Sequence, residues 1–210
     1  REGGEVLILS RMEPVPMSDG TQAPPPPVAV FAGRKLAWDL AQDGSGVVSI
    51  IDFQWPDPEN VPTDFVKNGE PVAPFTHALL SLPLPGQQAQ GGPITVFPPK
   101  GVRAGDIAVS PDGKMVAVVI GEEAEEIFTP KALVVFPNKP NGGSEAIPLA
   151  NGAISSPSWS PDSSEIVFLK NTGGKRGIFR VSASGSGVEM RVGGSDKDYR
   201  SPKFSPQTAP

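Results

Sequence analysis

Apolar residues in this chain come in short runs, and the runs come in pairs around a turn. Ile107-Ala108-Val109 leads into Ser110-Pro111-Asp112-Gly113, and the apolar stretch Met115 to Ile120 follows. The same order returns at Trp159, Ser160-Pro161-Asp162-Ser163 and Ile166-Val167-Phe168-Leu169. It starts again at Phe204-Ser205-Pro206, and an earlier copy reads Leu40-Ala41-Gln42-Asp43-Gly44 before Val47 to Ile51. Short runs rich in β-branched residues and bounded by Pro, Gly, Asp and Ser predict strands. A turn recurring between such strands predicts a repeat architecture. Helical periodicity is scarce. The stretch Gly121 to Phe128 has room for one helical turn and is too short for more.

In chain order, Glu5–Arg11 and Val28–Phe31 read as strands either side of a loop over 12–27. That loop ends in Pro24-Pro25-Pro26-Pro27, a stiff polyproline II spacer. These strands make a half unit over residues 1–34. A complete unit over 35–98 has strands at Leu36–Leu40, Val47–Phe53, His77–Leu82 and Pro93–Phe97, with an insertion over 54–75. The next, over 105–150, has strands at Asp106–Val109, Met115–Ile120, Ala132–Phe136 and Ala146–Leu149, with an insertion over 121–130. Pro148 implies an edge position, where its missing N–H costs nothing. The third, over 155–193, has strands at Ser156–Trp159, Glu165–Lys170, Gly177–Ser182 and Val188–Val192. Residues 198–210 begin another.

Four short antiparallel strands per repeat of about 40–50 residues match the blade of a β-propeller. The expected fold is therefore all-β. It is a single propeller domain over 1–210, with three complete blades, partial blades at both ends and long Pro-rich loops. Each blade buries its faces only against its neighbours. Leu40, Val109, Trp159 and Phe204 at the ends of first strands, with Val118 and Phe168 in second strands, are expected to fill the layers between blades. The partial blades either close on one another in a four-bladed ring or belong to an arc of a larger propeller. A closing blade lacks a second strand, and the arc is the reading adopted.

Composition adjusts this picture in few places. Pro (26) and Gly (24) are abundant among the 210 residues, a level that suggests disorder when unpatterned, but here they punctuate the apolar runs. A net charge of −5 argues against nucleic acid as a partner, because phosphate binding needs a concentrated basic surface. Cysteine is absent, which leaves no disulfide framework and no Cys-based metal site. No run approaches the ~18 apolar residues of a membrane-spanning helix. The chain opens Arg1-Glu2-Gly3-Gly4 with neither a signal peptide nor an initiating Met, and reads as a mature product or a section of something longer.

The segment Pro157-Ser158-Trp159-Ser160-Pro161-Asp162, with Ile166-Val167-Phe168 and Gly177-Ile178-Phe179-Arg180-Val181 followed by Gly185, resembles the WD40-like repeat of the TolB propeller family. Ile107–Val119 is a second match and Phe204-Ser205-Pro206 starts a third. The resemblance covers about residues 105–206. Gln207 departs from it, standing where the turn Asp would be, and so do the long Pro-rich loops. The resemblance implies a propeller fold and an extracytoplasmic place, periplasmic or at the cell surface. It leaves function open, since such blades serve scaffolds, cell-surface proteins and the gating domains of prolyl-oligopeptidase-like enzymes.

Candidate chemistry is sparse. Asp43, Asp112 and Asp162, with Gly113, read as structural turn residues, each carboxylate accepting from nearby backbone N–H groups. His77 is the one histidine, and there is no G-x-S-x-G elbow to supply a nucleophile. Asp52, Asp57, Glu59 and Asp64 lack the spacing of a calcium loop. No catalytic residue, cofactor or metal is expected. The two insertions join second to third strands in adjacent blades, so they are expected side by side. They hold Trp55, Phe65, Phe75 and Phe128 with Glu122, Glu123, Glu125 and Glu126, besides further acids at 57, 59, 64 and 70. Acid interleaved with aromatics on a long-looped face fits a docking surface for a protein partner; the other reading has the aromatics tucking the loops down. The expected function is a non-enzymatic scaffold for protein–protein interaction, a subunit of an extracytoplasmic assembly. The alternative is the gating propeller of a larger hydrolase, and a third reading, a ligand-binding propeller, requires carboxylates converging on the central channel.

Overall fold

A computed structural model describes residues 6–10, 15–16, 22–23, 27–32, 35–41, 46–54, 66–67, 70–71, 75–83, 91–97, 102–124, 127–193 and 199–204. The strands in chain order are β1 (Val6–Ser10), β2 (Val15–Pro16), β3 (Gln22–Ala23), β4 (Pro27–Ala32), β5 (Lys35–Leu40) and β6 (Gly46–Gln54). Then come β7 (Val66–Lys67), β8 (Glu70–Pro71), β9 (Phe75–Pro83), β10 (Gly92–Phe97), β11 (Val102–Val109) and β12 (Met115–Ala124). The last are β13 (Ile127–Pro137), β14 (Ile147–Asn151), β15 (Ile154–Trp159), β16 (Glu165–Thr172), β17 (Lys175–Ser182) and β18 (Met190–Arg191).

Three four-stranded antiparallel sheets form in sequence order: β5-β6-β9-β10, β11-β12-β13-β14 and β15-β16-β17-β18. β1 and β4 pair as a two-stranded sheet ahead of them. The first strands of successive sheets lie beside one another, β5 by β11 and β11 by β15. The sheets therefore fan out from a common inner line, each with its fourth strand outermost.

Strand alternation explains how the sheets stack. Ile107, Val118 and Val134 are register partners across the middle sheet, as are Val109, Val116 and Phe136. Both rows turn to the first sheet, where they pack with Val48, Ile50, Leu79, Ile94 and Phe97. The intervening rows, Ala108-Ala117-Val135 and Val119-Leu133-Ala150, turn to the third sheet. There they meet Ile154, Trp159, Ile166, Phe168, Phe179 and Val181. A strand buried on both faces must be apolar at every position, and Val116-Ala117-Val118-Val119 is buried throughout. Pro148 is exposed in β14, the outer edge strand of its sheet.

The structure departs from the sequence expectation in four places. Leu40 holds the repeat position of Val109 and Trp159, yet it is 42% exposed. Val109 and Trp159 are each covered by a four-stranded sheet that precedes theirs, whereas among the described residues no four-stranded sheet precedes that of Leu40. In the second strand of the first sheet Ser49 replaces the Val118 and Phe168 of the later sheets, and its hydroxyl donates to the Ala37 carbonyl. Second, residues 121–124 and 127–130 are neither a loop nor a helical turn. They lengthen β12 and β13 into a hairpin, pairing Glu122 with Thr129, Glu123 with Phe128 and Ala124 with Ile127. Third, the strand expected over Val188–Val192 is realised only as Met190–Arg191. Fourth, Tyr199–Phe204 forms no strand. Asp43, Trp55, Phe65, Glu125 and Glu126 lie outside the described residues, and Phe75 is the first residue of β9, paired with Gln54.

Candidate functional site

The two described turn aspartates have one geometry. The Ser110 hydroxyl donates to Asp112 Oδ1 at 2.6 Å and accepts from the Met115 N–H at 2.9 Å. The Ser160 hydroxyl donates to Asp162 Oδ1 at 2.6 Å and accepts from the Glu165 N–H at 2.9 Å. The fourth turn residue is left-handed in both, Gly113 at φ 70° and Ser163 at φ 60°. Glycine adopts that conformation at no steric cost. The Ser110 hydroxyl, with lesser help from the Lys114 N–H and ammonium, holds the Asp112 carboxyl below its usual value, against the opposing effect of burial. The Ser160 and Ser164 hydroxyls and the Ser164 N–H do the same for Asp162. These carboxylates are committed to their own turns.

Two other aspartates, Asp39 and Asp106, reach between sheets. Asp39 Oδ2 accepts from the Val109 N–H at 2.8 Å, and Asp106 Oδ2 from the Ser156 N–H at 2.8 Å. Each links the first strand of one sheet to the first strand of the next. Inner strands present an unpaired backbone edge to the centre, and a carboxylate from the neighbouring sheet is one way to satisfy it. All three inner strands also bulge at matching places: between Lys35 and Ala37, between Ala104 and Ile107, and between Ser155 and Ser158. Around these bulges lies a recess of about 430 Å³ lined by Ala37, Trp38, Asp106, Ile107, Ser156 and Pro157. Among its described lining residues it holds one carboxylate, that of Asp106. No group of three or more His, Cys, Asp or Glu placed to hold a metal occurs among the described residues.

The β12–β13 hairpin sorts its residues onto two faces. Glu123 and Phe128 are partners on one. The Phe128 ring lies against Gly105, where a Cβ would come within 2.6 Å of it, and packs on the apolar layer between the second and third sheets. Arg103 Nε donates to Glu123 Oε2 at 3.2 Å. This aromatic fixes the hairpin to β11. The other face carries Val102, Glu122, Ala124, Ile127 and Thr129, all exposed. Ile127 is 67% exposed and Val102 39%, while Glu122 pairs with Lys131 at 3.5 Å. Gly121 permits the hairpin to leave the sheet, for a Cβ there would sit 2.1 Å from the Thr129 carbonyl oxygen. The sequence drew attention to Phe128. The exposed apolar residue is its neighbour Ile127, and only the strand register, with its bulge between Ile120 and Gly121, reveals that.

Antiparallel four-stranded sheets fanned about inner first strands define a β-propeller. Among solved structures, the chain is similar to TolB from Acinetobacter baumannii, with a TM-score of 0.54 and 16% identity over 96% of this chain and 44% of that one. A structure from Agrobacterium tumefaciens assigned as TolB gives 0.48 and 16% identity, covering 85% of this chain and 53% of that one. The β-propeller domain of the trilobed protease from Pyrococcus furiosus gives 0.43 and 13%, covering 70% and 40%. The fold is thus a TolB-like β-propeller, and the chain spans less than half the length of the Acinetobacter protein. No protein-family model matches the sequence, and no curated protein matches it.

Proposed function

We propose that this chain is a non-enzymatic interaction scaffold whose docking surface is the outer face of the β12–β13 hairpin. The observation that carries the reading is the coherent exposure of that face. Val102, Ala124 and Ile127 are apolar and uncovered, with Glu122 and Thr129 between them. An apolar centre rimmed by charge is the usual composition of a protein interface. Phe128, packed on Gly105, holds the hairpin in place before any partner arrives, which lowers the ordering cost of binding. The carboxylates of the described turns and inner strands are occupied by backbone and hydroxyl donors, which suits a structural role better than a catalytic one. An extracytoplasmic location accompanies this reading, supported by the resemblance of the repeats to TolB blades. No helix among the described residues is long and apolar enough to cross a membrane.

Affinity capture from a native extract tests the proposal, using the full chain and an Ile127→Lys/Glu122→Lys variant side by side. A protein retained by the first and lost from the second supports the hairpin face. Identical retention by both overturns it.

A further inference from the structure

We draw no further inference here: the strongest candidate, the recess between the inner strands lined by Trp38, Asp106 and Ser156, offers a single carboxylate that already accepts from the Ser156 N–H, and nothing in the structure shows what covers the exposed Trp38 beside it.

Discussion

The indole Nε1 of Trp159 donates to the Ala108 carbonyl at 2.8 Å across the layer between the second and third sheets. One residue thus joins apolar packing to a hydrogen bond that spans two repeats. Trp159→Phe keeps most of the burial and leaves that carbonyl without its indole donor, at a cost of about 1–3 kcal/mol. Trp159→Ala also opens a cavity and should cost about 3–5 kcal/mol. Leu40→Ala, at the matching position of the first sheet, should cost well under either, because Leu40 is exposed. Urea unfolding of the three variants checks the order.

The carboxylate of Asp39 makes a separate test of the inter-sheet link. Asp39→Ala removes the acceptor of the Val109 N–H and should cost about 1–2 kcal/mol, the range for a charge-assisted bond at a partly exposed site. Asp39→Asn keeps an acceptor oxygen and should recover about half of that. Thermal unfolding that ranks Asn at or below Ala would mean that the link contributes nothing.

Acid should weaken the fold through its turns. Asp112 and Asp162 lie below the ordinary value of 3.8 in the folded chain and return to it on unfolding. Their contribution is complete above pH 3.8, where both states are ionised, and is lost as pH falls through the lower folded values. The urea midpoint of the native chain should therefore decline below that pH. Ser110→Ala/Ser160→Ala removes the main cause of both shifts, so its midpoint, though lower at neutral pH, should fall less steeply in acid. Parallel declines would refute the assignment.

Gly121→Ala addresses the hairpin. The new Cβ would collide with the Thr129 carbonyl oxygen, and relieving that contact means displacing β13 from β12 at this point. A loss of about 1–3 kcal/mol is expected, together with loss of whatever protein the Ile127 face retains. Retention at the native level, measured in the same capture experiment, would show that the hairpin's position is immaterial.

The propeller was legible in the sequence because its signal is local and repeated. Ser110 to Gly113 and Ser160 to Ser163 each contain a complete turn, hydroxyl, carboxylate and left-handed residue included. Pro148 likewise declares its own edge. What could not be read is set by neighbours. Leu40 has the same local context as Val109, yet it is exposed where Val109 is buried against the preceding four-stranded sheet. Nothing near Asp39 or Asp106 in the chain announces that each binds an amide of the following sheet. The acidic stretch from Gly121 to Phe128 resembled a helical turn because its pairing partner was uncertain; a bulge between Ile120 and Gly121 decides which residue, Ile127 or Phe128, meets solvent.

Both apolar layers draw on the middle sheet, one from each of its faces. Its second strand, β12, therefore has no side from which unzipping can begin. Either outer sheet can detach and leave one layer whole, whereas opening at Val116 to Val119 dissolves both at once. Amide protons of those four residues should exchange with solvent only through global unfolding, and their rates would report the stability of the entire stack from a single strand.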